Sequence, residues 1–273
     1  MSASRNILLV GCGKMGGAML RGWLSRGLDT GNVMVVEPFA EAADSLKEEL
    51  SVRVVADMGD IEAGFSPEIV VFAVKPQGMD DIVPRYADIA ARGAVILSIA
   101  AGRNIGYFEK HLGSGSAIVR TMPNTPAAVG RGITAASANA HVSDAQRAAC
   151  ETLLEAVGEV VWVDDEALID PVTAVSGSGP AYVFLLIECL AQAGEAQGLP
   201  ADIAAKLARA TVAGSGELAR QSDEPAEILR QNVTSPGGTT AAALEVLMAE
   251  NGLQRLMDDA IEAATRRSRE LAG

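Results

Sequence analysis

Six residues near the start of the chain limit its fold more than any other stretch. Gly11-Cys12-Gly13-Lys14-Met15-Gly16 is a G-x-G-x-x-G run that directly follows the apolar segment I-L-L-V at 7–10 and opens a helix-like G-A-M-L-R-G-W-L. A strand that turns through spaced glycines into a helix is the opening unit of a doubly wound α/β sheet. In that setting Gly11 permits the tight turn, Gly13 lets the backbone approach a pyrophosphate, and Gly16 allows close packing of helix on strand. The whole run, with Cys12, Lys14 and Met15 at its variable positions, is therefore expected to bind a dinucleotide. Cys12 reads as a small apolar filler, and Lys14 either lies near phosphate or faces water.

The pattern that follows agrees with this start. Apolar Val/Ile-rich segments at 33–36, 69–74, 95–98, 117–121 and 160–163 alternate with helical stretches such as 16–26 and 40–50, and 132–138 adds a further strand. Short strands separated by helices indicate a mostly parallel sheet covered on both faces. In such a sheet the ligand crevice runs along the carboxyl ends of the strands. Three segments fall there. A-V-K-P (Ala73, Val74, Lys75, Pro76) ends one strand, S-I-A-A-G at 98–102 with Ala100 ends the next, and R-T-M-P-N-T-P at 120–126 ends the one after. Asn124 in the last is expected to offer an amide near the nicotinamide end. Glu37 ends V-M-V-V roughly 20 residues past the last motif glycine, where an acid accepts from the adenosine ribose hydroxyls and repels a 2′-phosphate. No Arg or Lys follows it until Lys47, so the expected cofactor is NADPH or NADH with a lean to NADH.

After Asp164 strand signals almost vanish. The stretches 182–197, 201–221, 225–232, 240–249 and 253–271 all read as helix, with Pro180 suited to a first helical turn and Gly252 to a helix junction. The chain thus divides into 1–163, a dinucleotide-binding domain, and 164–273, an all-helical domain. The segment Y-V-F-L-L-I-E-C-L-A-Q-A is apolar around most of its circumference, as in a helix buried on several sides. A short helical half with few aromatics has little core in which to bury it, so two subunits are expected to intertwine there. At the hinge, Asp164, Asp165 and Glu166 form a solvated acidic patch, or Glu166 with Asp170 approaches a ligand held between the domains. S-G-S-G-P-A-Y at 176–182 suggests close backbone packing at Gly177 and Gly179.

Within the helical half, V-T-S-P-G-G-T-T at 233–240 stands out. Pro236 ends what precedes it, Gly237 and Gly238 let the backbone turn tightly, and Thr239 or Thr240 is expected to cap the helix that follows. Hydroxyls beside unpaired amides at a helix N-terminus suit a small carboxylate.

Composition sets the remaining bounds. The 273 residues are 49% hydrophobic and only 4% aromatic, with a net charge of -13. A chain this acidic does not seek nucleic acid or an anionic membrane. Cys12, Cys150 and Cys189 have no metal or redox spacing and read as reduced thiols. No signal peptide is visible, no apolar run reaches the roughly 18 residues of a spanning helix, and a cytoplasmic protein is expected. Neither His111 nor His141 lies in a motif, which argues against a histidine base.

Taken together, G-C-G-K-M-G, A-V-K-P, R-T-M-P-N-T-P, S-G-S-G-P-A-Y and above all N-V-T-S-P-G-G-T-T followed by A-L-E-V-L resemble pyrroline-5-carboxylate reductases over nearly the whole chain. The resemblance implies a Rossmann-type domain followed by an all-α dimerisation domain, dimers that assemble further into decamers of five dimers, and reduction of 1-pyrroline-5-carboxylate to L-proline by NAD(P)H, the last step of proline biosynthesis. It implies cofactor contacts at Gly11, Gly13, Gly16, at Ala73 to Pro76 and, across the dimer, at Asn232. It implies substrate contacts at Glu166, Ser235, Gly237, Gly238, Thr239 and Thr240, with Thr240 nearest the ring nitrogen. Glu37 stands where many NADPH-using members carry a small polar residue, and the chain has one extra residue between Pro225 and Val233. Two rivals share the architecture. A 3-hydroxyacid dehydrogenase would need a lysine on the first long helix as proton acceptor, and 180–198 contains none. A non-catalytic dinucleotide sensor would leave the 233–240 loop without a purpose.

Overall fold

The computed structural model describes residues 5–272. Four-residue apolar runs become strands buried along their whole length, as a sheet covered on both faces requires. β1 (Ile7–Val10), β2 (Val33–Val36), β4 (Ile69–Phe72) and β5 (Val95–Ser98) contain no exposed residue, and β6 (Ile118–Met122) is equally buried. With β3 (Arg53–Val55), β7 (Gly132–Ala138) and β8 (Gly158–Trp162) they form one eight-stranded sheet of order β3-β2-β1-β4-β5-β6-β7-β8. All neighbours pair parallel except β6 with β7. Ile7 pairs with Val33 on one side and Ile69 on the other, so the strand order reverses about β1. That reversal opens the crevice at the carboxyl ends of β1 and β4.

Alternation along β1 feeds two cores. Ile7 and Leu9 pack with Met19, Leu20 and Trp23 of α1 (Lys14–Ser25), while Leu8 and Val10 pack with Phe72, Tyr86 and Phe108. The Trp23 indole N–H donates to the Leu153 carbonyl at 2.9 Å, which ties α1 to the helix Asp144–Glu155. β3 escapes the sequence pattern because it is a three-residue edge strand with half-buried side chains. The segment expected at 160–163 begins at Gly158, on the other edge, where burial alternates. The first helix starts at Lys14, two residues before its expected start, with Gly13 as its N-cap.

Residues up to Gly177, joined by those from Thr265 onward, form one compact unit, and Ser178–Ala264 form the other. The change of grammar at Asp164 thus precedes the division in packing. Residues 164–177 run through short helical turns and one π-helical turn, Thr173–Gly177, and bury Ile169 against Met122 and Ala135. Gly177 sits at ordinary packing distance from Met122, whereas a Cβ built on Gly179 would meet nothing within 4 Å inside the single chain.

The second unit contains α2 (Gly179–Ala196), α3 (Ala201–Gln221), α4 (Ala226–Asn232), α5 (Thr239–Leu247) and most of α6 (Leu253–Ala272). Ala204 and Ala208 of α3 are buried, with Gly194 of α2 beside Ala204. α2 itself buries no residue within the single chain: Phe184, Leu185 and Leu186 are 59%, 56% and 47% exposed. Although no apolar run of about 18 residues was expected, the helical stretch Glu166–Ala196 is long and apolar enough to cross a membrane by length and composition, with an 18-residue window of mean hydropathy 1.5. Small Ala and Gly residues and Glu188 interrupt the run to the eye without lowering its average far.

Candidate functional site

The glycine turn has the shape its motif requires. Gly11 has φ +82°, and a Cβ there would lie 2.6 Å from Val74 Cγ1 and 3.1 Å from the Ala73 carbonyl oxygen. A Cβ on Gly16 would lie 2.8 Å from the Gly11 carbonyl oxygen and 3.1 Å from Ala73 Cβ. Ala73 and Val74 therefore form the wall against which the turn closes. Nothing lies within 4 Å of a Cβ built on Gly13, so the turn is open on the side where a diphosphate must approach. The first intrahelical bond of α1 runs from the Gly17 N–H to the Gly13 carbonyl, leaving the Lys14, Met15 and Gly16 amides directed out of the helix end. The residues present fit a dinucleotide.

Glu37 lies at the carboxyl end of β2 but is only 6% exposed. Its Oε2 accepts from the Cys12 amide at 3.0 Å and its Oε1 from the Phe39 amide at 3.2 Å. Burial, and then the Glu37 charge, push the Cys12 thiol up to about 11. Cys12 is half-buried, and Gly13 and Lys14 are exposed. These three line a cleft of about 660 Å³ that continues along α1 past Arg21 toward Ser45 and Val129. Glu37, Ala73 to Pro76 and Ala100 do not line it, so the strand-end crevice and this cleft share only the glycine turn.

Lys75 is exposed and precedes a 3₁₀ turn, Pro76–Gly78. Arg103 holds that turn, donating to the Pro76 carbonyl at 2.9 Å while its guanidinium lies 4.5 Å from the Tyr107 ring centroid. Ala100 is 4% exposed, and its amide donates to Ser98 Oγ at 3.2 Å, so its side chain belongs to the core. The Asn124 side chain is used at both ends: Nδ2 donates to the Ser176 carbonyl at 3.2 Å and Oδ1 accepts from the Ile133 amide at 3.0 Å. Its amide ties the loop after β6 to the π-helical turn and to β7.

An ion pair that motif reading missed lies beside these elements. Arg120 of β6, 4% exposed, donates to Glu166 Oε1 at 2.8 Å, and the same oxygen accepts from the Ile105 amide at 2.8 Å. The signal was an arginine inside A-I-V-R-T, because a buried charge demands a partner. Asp170 accepts from the Ser268 hydroxyl at 2.7 Å.

The 233–240 loop lies wholly in the second unit. Gly237 has φ +69°, and the Gly238 amide donates to the Ser235 carbonyl at 3.0 Å. Gly238 is the N-cap of α5, with no side-chain cap. This corrects the expected threonine cap: Thr239 and Thr240 are the first two helical residues, because Gly238 already supplies the extended cap conformation. The first main-chain bond of the helix comes from Ala242 to the Gly238 carbonyl, so the Thr239, Thr240 and Ala241 amides are those left without intrahelical partners. Ser235, Gly237 and Thr239 are exposed and Thr240 is half-buried. Asn232 donates to Glu224 Oε2 at 3.2 Å.

A glycine-turn dinucleotide site at the switch point of a 3-2-1-4-5-6 sheet, joined to a helical unit with an open helix end, defines a dinucleotide-dependent oxidoreductase of the doubly wound class. Comparison with known proteins narrows this. The family model described as pyrroline-5-carboxylate reductase dimerisation matches residues 166–271, and one described as NADP oxidoreductase coenzyme F420-dependent matches 6–102. The chain is 42% identical over its full length to a pyrroline-5-carboxylate reductase of Pseudomonas aeruginosa, covering 98% of that protein. It is 45% identical to one of Synechocystis over 88% of this chain and 87% of that one. Among solved structures, a pyrroline-5-carboxylate reductase from Coxiella burnetii superposes with TM-score 0.93 at 36% identity, covering 99% of this chain and all of that one. The Plasmodium falciparum pyrroline carboxylate reductase with NADP bound gives 0.82 at 29%, with 98% of each chain covered. The chain belongs to the pyrroline-5-carboxylate reductase family. It is a nicotinamide-dinucleotide-dependent oxidoreductase acting on a C=N bond, and it carries that family's dimerisation domain.

Proposed function

We propose that this chain reduces 1-pyrroline-5-carboxylate to L-proline by holding the substrate carboxylate at the start of α5. The observation that carries the reading is the helix end behind Gly237 and Gly238, with the Thr239 and Thr240 amides free of intrahelical partners and Ser235 packed against Gly238. Main-chain donors at a helix N-terminus suit an anion of this size. Thr240, on the half-buried side, hydrogen-bonds the ring nitrogen and orients the imine carbon. Glu166 already holds Arg120 and the Ile105 amide through Oε1, so its substrate contact falls to Oε2.

A reduced nicotinamide, when bound, supplies the hydride. Gly11 to Gly16 take its pyrophosphate, and the backbone of Ala73 to Pro76 and of Ala100 lines the strand ends beside it. Asn124 acts by fixing the loop after β6, and Asn232 reaches the cofactor of a second subunit. Glu37 favours NADH, since a buried carboxylate at the ribose opposes a 2′-phosphate. The protonated cyclic imine accepts hydride readily, so the residues need only position it and exclude water, with no strong base. The helical units pair into a homodimer, and a decamer of five dimers and residence in the cytoplasm complete the reading.

The test is the loss of NADH absorbance when purified protein meets 1-pyrroline-5-carboxylate. Activity only with a 3-hydroxyacid, or binding without turnover, would replace the reading. Thr240→Ala is expected to lower kcat/KM by about tenfold or more, equivalent to about 1.4 kcal/mol. An unchanged value removes Thr240 from the mechanism.

A further inference from the structure

We propose that the ring of Phe39 forms a wall of the adenine site, a specificity contact at the far end of the cofactor from the chemistry. Aromatic residues are scarce in this chain, at 4%. In the first compact unit, among the described residues, every other aromatic side chain is buried or half-buried. Phe72 and Phe108 are fully buried and Phe65 is 9% exposed, whereas Phe39 is 74% exposed. Its neighbours along the chain, Pro38, Ala40, Glu41 and Asp44, are exposed and include no other large apolar side chain. Along the chain Phe39 thus stands apart from the other large apolar side chains that are exposed.

Its position gives the ring a purpose. Phe39 is rooted three residues beyond the last residue of β2, and its backbone is held at two points. Its amide donates to Glu37 Oε1 at 3.2 Å. Its carbonyl accepts from Ala43 at 2.9 Å, making it the N-cap of the helix Ala40–Leu50. It follows Pro38, whose ring fixes that residue's own φ. The other oxygen of Glu37 holds the Cys12 amide in the glycine turn. One carboxylate thus clamps the residue that carries the ring to the turn that receives the pyrophosphate.

The order of groups along the dinucleotide follows this geometry. With the pyrophosphate at the start of α1 and the ribose at Glu37, the base lies beyond Glu37, on the side where Phe39 begins the next helix. A carboxylate has about four lone-pair sites, so Glu37 can keep both amides and still accept from a ribose. An exposed aromatic ring with a rigid backbone takes a purine by stacking, which needs no further hydrogen bond.

The proposal rests on the dinucleotide reading, and its test separates the two. Calorimetric titration of the full-length protein with ADP-ribose, and separately with reduced nicotinamide mononucleotide, is compared for wild type, Phe39→Ala and Phe39→Trp. Phe39→Ala is expected to weaken ADP-ribose by about tenfold, within the range seen when stacking aromatics are truncated, and to leave affinity for the adenine-free mononucleotide unmoved. Phe39→Trp is expected to retain ADP-ribose binding and to show tryptophan fluorescence quenched by it. Equal ADP-ribose affinity in wild type and Phe39→Ala overturns the assignment while leaving the cofactor reading intact. Wild type that binds neither ADP-ribose nor NADH overturns both.

Discussion

Glu37 holds two separate main-chain amides from one position. Its location, at the end of V-M-V-V and roughly 20 residues past the glycine run, was readable from spacing alone. Its burial and its bonds to the Cys12 and Phe39 amides were not, because those depend on how the turn after β1 faces the end of β2. Glutamine at this position keeps the shape but has one accepting oxygen where the carboxylate has two, so one of the two amides loses its partner. Two outcomes are expected of Glu37→Gln. On the proposed role of Glu37 at the ribose, the ratio of kcat/KM for NADH over NADPH falls by about tenfold. The Cys12 thiol also titrates below its value of about 11, because the Glu37 charge is the second cause of the rise after burial. Iodoacetamide labelling of the Cys12 peptide as a function of pH, followed by mass spectrometry, reads the second effect. An unmoved labelling profile together with an unmoved cofactor ratio would leave Glu37 with a purely structural role. The 233–240 loop teaches a related lesson. Glycine and threonine both suit an N-cap, and the sequence G-G-T-T does not reveal which residue adopts the extended backbone. The structure gives that role to Gly238, and so shifts the outward amides to Thr239, Thr240 and Ala241.

Among the elements, the strands that sit in the middle of the sheet were legible because burial on both faces leaves an uninterrupted apolar run. β3 was not, since a three-residue edge strand needs only V-V and accepts Arg53 at its start. The turn that follows, Met58–Asp60, was equally silent, yet it carries a reciprocal cap. Asp57 accepts from Gly59 and Asp60 accepts from the Asp57 amide, while Arg85 grips both oxygens of Asp57, one of them at 2.7 Å. The guanidinium of Arg85, and then the Gly59 amide, hold the Asp57 carboxyl at about 2, below its ordinary 3.8. A carboxyl depressed in the folded state contributes stability that is fully present above its ordinary value and is lost as pH falls toward the folded one. The protein is therefore expected to lose part of its thermal stability between about pH 4 and pH 2 through this group. Asp57→Asn, which cannot ionise, should show a shallower decline of Tm over that interval. The pair is exposed, so the effect is small beside that of a buried one, and melts at low ionic strength are the place to see it. Parallel decline in both proteins would assign the acid sensitivity to other carboxyls.

For the whole molecule, the decisive feature is the apolar surface that the single chain leaves uncovered. Phe184, Leu185, Leu186 and Leu190 of α2 are joined by Leu207 and Leu218 of α3 and by Val246 and Leu247 at the end of α5, each at least 42% exposed. The sequence announced that α2 would be buried on several sides, but an all-round apolar helix does not say which chain covers it. Two coverings are physically open to such a helix, a bilayer or a second protein surface. Membership in a family whose dimerisation model spans 166–271 favours the second, as does the charge of -13 carried by the chain, which opposes approach to an anionic membrane. If a second copy covers α2, an acidic substitution at its centre places an unpaired charge in the joint core, which is among the most destabilising single changes. Leu185→Glu is expected to shift the sedimenting species from dimer or larger toward monomer. The wild-type unfolding midpoint should rise with protein concentration, because folding and association are linked, and the variant should lose most of that dependence. Calorimetric binding of NADH, whose proposed contacts lie mostly in the first unit, should outlast the loss of association more fully than turnover does. Retention of the wild-type size by Leu185→Glu would mean that this face of α2 is not the one a partner covers.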